Sequence, residues 1–126
     1  MPQPHSKAVF VVDDDPSMLK GMRRLLRQHG YETVPFETAK ALLECRDFGR
    51  AFCIVLDVNL SDGSGIDLRH QLAEAGVQLP VIYITGNDSH ATRMAAMASG
   101  CLAYLTKPFS ARSLIEPIER AATVSA

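Results

Sequence analysis

A single doubly wound α/β domain, a five-stranded parallel sheet with helices on both faces, is what this sequence predicts, and three observations predict it. Apolar, β-branched runs alternate strictly with stretches of helical period, five times over, in units of about 25 residues. The length, 126 residues with 47% hydrophobic and 21% charged side chains, suits one domain with a core of its own. Glycines stand where helices should stop, at Gly30, Gly76 and Gly100. Strict alternation of this kind implies parallel strands joined by right-handed crossovers.

Ala8-Val9-Phe10-Val11-Val12 reads as a strand buried on both faces. Asp15 followed by Pro16 is a helix start, with a capping carboxylate and proline at the first helical position. Leu19, Met22 and Leu26 then recur at helical spacing, and Lys20, Arg23, Arg24 and Arg27 take the solvated side. Glu32–Phe36 is the second strand, and Thr38 caps a short helix through Leu42 and Leu43. Ala51–Leu56 is a third strand, Ser61–Gly65 a loop, and Ile66–Ala75 a helix. Val81–Thr85 is the fourth strand. An alanine- and methionine-rich helix is expected over Asp88–Ser99, with one of Met94 and Met97 in the core and the other semi-exposed. Cys101–Thr106 closes the set of strands and Ser110–Ala122 the helices, with Pro117 a candidate kink.

Composition excludes several classes of function. A net charge of −1 gives no basic excess for nucleic acid. No apolar run approaches the roughly 18 residues of a membrane span, and the opening MPQPHSK lacks a signal core. The three cysteines, Cys45, Cys53 and Cys101, have no CxxC spacing and read as reduced core thiols of a cytoplasmic protein. The four histidines, His5, His29, His70 and His90, are scattered and read as surface residues. Residues 7–122 form the expected domain, 1–6 a loose leader and 123–126 a tail, with no output domain in the chain.

The polar residues fall at strand ends. In an open parallel sheet, ligands bind beyond the carboxyl ends of the strands. Asp13-Asp14-Asp15 follow the first strand and Asp57 the third, while Thr85 and Lys107 close the fourth and fifth. Clustered carboxylates repel one another unless a cation neutralises them, and oxygen donors without His or Cys favour a hard ion such as Mg²⁺. Metal, lysine and hydroxyl around one aspartate suit an acyl phosphate, formed when the Asp57 carboxylate attacks phosphorus.

VVDDDP, IVLDVN, YITG and YLTKPF, in that order and covering nearly the whole chain, resemble the signature blocks of the response regulator receiver domain of two-component signalling. The resemblance implies the strand order 2-1-3-4-5, which is that of the chemotaxis member of this family. It implies Asp57 as phosphoacceptor, Asp13 and Asp14 as the acidic pair holding Mg²⁺, and Asn59 as the donor of a backbone carbonyl to the metal. Asp14 is the expected direct ligand, with Asp13 acting partly through water. It further implies Thr85 as the hydroxyl that reports the phosphoryl group and Lys107 as its cationic partner. Tyr104 is then the aromatic that swings inward, and Lys107–Pro108 a cis bond. The implied partners are a sensor histidine kinase or histidine phosphotransfer protein and a downstream output partner, with no direct nucleic-acid or membrane contact. The implied module is a switch rather than a turnover enzyme. Two departures stand out. Ser61 replaces a frequent proline, and Asp62–Leu68 resembles receivers that precede DNA-binding domains.

Three rival readings fit less well. A haloacid-dehalogenase-type hydrolase needs a second aspartate two residues after the nucleophile, where this chain has Asn59. A flavin carrier of the same strand order needs a Ser-, Thr- and Gly-rich first loop, which here is acidic. A P-loop protein needs GxxxxGK[ST], which is missing.

Overall fold

Because βαβ crossovers place helices on both faces of a parallel sheet, its inner strands must be apolar throughout. Strand β1 (Ala8–Val12) and strand β3 (Ala51–Asp57) are buried at every residue, as is β4 (Val81–Thr85). Strands β2 (Glu32–Phe36) and β5 (Ala103–Thr106) form the edges and are partly exposed. The computed structural model describes residues 8–125, so the expected leader, residues 1–6 with His5, lies outside the described residues. All neighbouring strands pair in parallel, in the order β2-β1-β3-β4-β5 that the resemblance implies.

Helices α1 (Pro16–Gln28) and α5 (Ala111–Ser125) cover one face, where Leu19, Met22, Leu26, Leu114 and Ile118 meet Val9, Val11, Val55, Ile82 and Ile84. Helices α2 (Ala39–Leu43), α3 (Gly65–Glu74) and α4 (His90–Ser99) cover the other. There Leu42, Leu68, Leu72 and Ala96 pack on Phe10, Ile54, Leu56 and Tyr83. Asp15 caps α1, accepting the Ser17 N–H at 2.9 Å, and Ser64 caps α3. A two-residue antiparallel pair, Asn59–Leu60 with Gly63–Ser64, fills the connection after β3.

Several boundaries differ from expectation, each for a local reason. Helix α4 begins at His90 rather than Asp88, because Ser89 is its cap and accepts the Thr92 N–H. Strand β5 begins at Ala103, not Cys101. Gly100 turns the chain at φ +80°, and the ladder opens with Ala103 opposite Ile82. Helix α5 runs to Ser125, three residues beyond the expected end and through most of the expected tail. It starts after Ser110, whose hydroxyl accepts the Ser113 N–H. Pro117 lies inside α5 without ending it.

Met94 and Met97 are both exposed, at 57% and 60%, because α4 turns only Ala96 fully into the core. Cys53 alone is a core thiol, and burial pushes its pKa up to about 12. Cys45 and Cys101 are half-buried. His29, His70 and His90 lie on the surface, and so do Lys20, Arg23, Arg24 and Arg27.

Candidate functional site

Parallel strands end on one side of the sheet, and there the structure gathers the acidic residues. The Asp13 N–H bonds to the Phe36 carbonyl at 3.0 Å, extending the β1–β2 pairing by one residue and turning the Asp13 side chain into the fold. Asp13 is wholly buried, Asp57 is 4% exposed, and Asp14 faces solvent. One carboxylate oxygen from each lies within 4.8 Å of the others. Asp15 points elsewhere, to its cap, so the three consecutive aspartates do different work.

A lysine just past the edge strand β5, at the same end of the sheet, joins them. The Lys107 ammonium donates to Asp57 Oδ2 at 2.9 Å and to Asp13 Oδ2 at 3.0 Å, and its side chain keeps 21% of its surface open to solvent. It is placed by its own backbone, whose N–H bonds to the Thr85 carbonyl at 2.7 Å just past β5, and the Lys107–Pro108 bond that follows is cis, as the resemblance implies. Burial alone would lower the Lys107 pKa. Hydrogen bonds and charge attraction from Asp57 and Asp13 outweigh it, and the net shift is upward. Asp13 also titrates high, chiefly because it is buried and also because Asp57 repels it. Bonds from the Asp15 N–H and from Lys107 pull the other way.

Each oxygen of Asp57 has a defined role. Oδ2 accepts Lys107, and Oδ1 accepts the Asn59 N–H at 2.9 Å. The Asn59 side-chain amide donates to the Thr85 hydroxyl at 3.2 Å, and the Asn87 N–H donates to the same hydroxyl at 3.0 Å. Thr85, fully buried at the end of β4, is therefore one side chain away from Asp57. Behind the site, Gly65 opens α3 in close contact with β3. A Cβ there would lie 2.2 Å from the Asp57 carbonyl oxygen, so only glycine lets the helix start at this point.

The expected residues Asp13, Asp14, Asp57 and Lys107 thus converge, and Thr85 joins through Asn59. Tyr104 stands apart, half-buried on β5 opposite Tyr83. Its hydroxyl donates to Asp88 Oδ1 at 2.9 Å. Arg93 pairs with Asp88 Oδ2 at 2.9 Å and holds its guanidinium 4.8 Å above the Tyr104 ring. Sequence reasoning misses this second cluster, although Asp88 and Arg93 sit five residues apart around a helix start. It also misses the Asn59–Thr85 bond, whose partners lie on different strand ends.

The family model for the response regulator receiver domain matches residues 9–119. The chain belongs to this family. Among curated relatives, nodulation protein W of Bradyrhizobium diazoefficiens is 36% identical over 110 residues, which are 87% of this chain and 48% of that protein. The transcriptional regulatory protein FixJ of Rhizobium meliloti is 31% identical over 113 residues, 90% of this chain and 55% of FixJ. This receiver spans about half the length of the curated relatives it matches. Among solved structures, the response regulator StyR superposes with a TM-score of 0.86 at 36% identity, covering 94% of this chain and 60% of that one. A CheY-like receiver protein from Methanospirillum hungatei JF-1 gives 0.81 at 27% identity, covering 93% and 94%. Receiver domains act as signalling switches in two-component systems, and no helix among the described residues of this one is long and apolar enough to cross a membrane.

Proposed function

We propose that this receiver accepts a phosphoryl group on Asp57 from the phosphohistidine of a sensor kinase or histidine phosphotransfer protein in the cytoplasm, and returns it slowly to water. The observation that carries the reading is the buried Asp57 carboxylate, held through Oδ2 by the cation it shares with Asp13, beside an acid open to solvent. The Asp57 oxygen attacks phosphorus, the P–N bond of the donor breaks, and a P–O bond to Asp57 forms. Lys107 lies where it neutralises charge developing on the phosphoryl oxygens, because it already binds the attacking carboxylate. The Asn59 N–H orients Asp57 through Oδ1.

Asp13, Asp14 and Asp57, with the backbone carbonyl of Asn59, are the groups that would hold Mg²⁺. The donor set fits, being all oxygen, closely spaced and partly open to water. When bound, the ion supplies positive charge to offset the crowded carboxylates and the incoming phosphoryl group.

Asn59 and Asn87 flank the Thr85 hydroxyl, and as neutral amides neither takes a proton from an attacking water. Dephosphorylation is accordingly slow. The signal leaves through Thr85, whose hydroxyl changes partner when a phosphoryl oxygen arrives, and through Tyr104, which moves in response. The α4–β5 surface then changes for a downstream partner.

Incubation with Mg²⁺ and a small acyl-phosphate donor should add one alkali-labile phosphoryl group per chain. Asp57→Asn should abolish it. Incorporation by that variant at the wild-type level would overturn the assignment.

A further inference from the structure

One carboxylate outside the acidic cluster has partners far along the chain. Asp62 lies in the turn that joins Asn59–Leu60 to Gly63–Ser64, in the same loop that leaves Asp57. Its Oδ1 accepts the Ala39 N–H at 2.9 Å and its Oδ2 the Lys40 N–H at 3.1 Å, across 23 and 22 residues. These two bonds hold the Asp62 carboxyl below its usual range. Helix α2 already has a cap of its own, since Thr38 accepts the Ala41 N–H at 3.0 Å. Thr38 leaves the Ala39 and Lys40 N–H groups without an acceptor, so Asp62 completes the cap of α2 and in doing so ties the tip of the loop to the body of the domain.

The same loop is held at its two ends and by the short pairing of Asn59 with Ser64 and Leu60 with Gly63. At one end the Val58 N–H donates to the Ile84 carbonyl at 2.9 Å. The Gly65 N–H closes the other on the Val58 carbonyl at 2.8 Å. Between them lies Asn59, which touches both Asp57 Oδ1 and the Thr85 hydroxyl. A loop held at its tip loses less freedom when a ligand orders it.

We propose that Asp62 is a positioning residue for the phosphoacceptor site, a tether from the loop to α2 that holds Asn59 ready before any phosphoryl group or metal arrives. The inference rests on the proposed function, since that site is what the tether prepares. Its mode of action is indirect, as with residues that support metal ligands from behind, where loss of one partner weakens affinity about 10–100-fold.

The test compares the wild-type chain with Asp62→Ala, Asp62→Asn and Thr38→Ala. Binding of Mg²⁺ with beryllofluoride is followed by NMR titration, together with amide exchange in the unliganded chain. Asp62→Ala should weaken binding about tenfold, the low end of the range for such support. It should also speed exchange of the Ala39 and Lys40 amides and of the loop from 58 to 64. Asp62→Asn, which keeps one acceptor and guards against misfolding of the alanine variant, should lie between it and wild type. Thr38→Ala, which removes only the local cap, should leave affinity unchanged. Wild-type affinity in both Asp62 variants would overturn the tether, and so would an equal loss in Thr38→Ala. A wild-type chain that binds neither Mg²⁺ nor beryllofluoride would instead overturn the proposed function itself.

Discussion

Two polar clusters built from similar groups lie on either side of Thr85, and burial separates their behaviour. In one, Lys107 is shared by Asp13 and Asp57, both carboxylates being withdrawn from solvent. In the other, Arg93 and Tyr104 share Asp88, and both charged side chains are well exposed. Withdrawing a charge from water makes its partner indispensable, whereas an exposed pair is screened and contributes little. The buried cluster is accordingly suited to hold a reactive group in one geometry. The exposed one can break and re-form with little change in stability, which suits a surface that must move. Thr85 touches the first through Asn59 and stands at the end of β4, whose loop carries Asp88.

The largest effect is expected from Lys107→Ala in Mg²⁺-free buffer. It leaves Asp13 and Asp57 facing each other without a cation, at a loss of about 3 kcal/mol by urea unfolding. Added Mg²⁺ should recover part of that loss, and a variant as stable as wild type would erase the contrast between the clusters. Gly65→Ala comes next. Its Cβ would lie 2.2 Å from the Asp57 carbonyl oxygen, so α3 or β3 must shift, at about 2 kcal/mol and with slower phosphorylation.

Thr85→Ala should lower stability by about 1 kcal/mol, since the hydroxyl accepts two hydrogen bonds. Its sharper consequence is on coupling. Beryllofluoride should still shift NMR signals around Asp57 but no longer at Tyr104 and α4. Remote shifts that survive the substitution would mean the two clusters communicate by another route.

The smallest effect belongs to Asp88. Arg93 and then Tyr104 hold its carboxyl below the ordinary range of about 3.8, so the folded pKa is depressed. A depressed carboxylate pKa contributes stability above its unfolded value, and that contribution disappears as pH falls through the folded one. The Tyr104 ring signals should therefore change at lower pH than an ordinary aspartate beside the ring would impose. In Arg93→Ala the same change should occur at higher pH, with the unfolding midpoint little altered. An unmoved titration would show that Arg93 does not hold Asp88.

Much of this was legible in the sequence, because strand-end chemistry is local. Asp15-Pro16 announced its own cap, and the apolar runs marked β1, β3 and β4 with their terminal Asp57 and Thr85. What escaped was the pairing of groups that no strand-end rule brings together. Asp62 looks like ordinary turn chemistry beside Gly63, and nothing near it points to the N–H groups of Ala39 and Lys40. Met94 and Met97 follow helical spacing, but periodicity does not say how much of a helix the sheet can cover. Helix α4 sits so that Ala96 alone is fully buried. The late start of β5 depends on Gly100 adopting a positive φ, which composition permits without requiring.

The central claim, that Asp57 carries the phosphoryl group, is tested most directly by reducing the phosphorylated chain with borohydride and sequencing its tryptic peptides. Trypsin separates Asp57, in the peptide from Ala51 to Arg69, from Asp13 and Asp14, in a peptide ending at Lys20. Reduction to homoserine at Asp57 alone is the result predicted here. Reduction at Asp13, Asp14 or Asp62, with Asp57 intact, would contradict it.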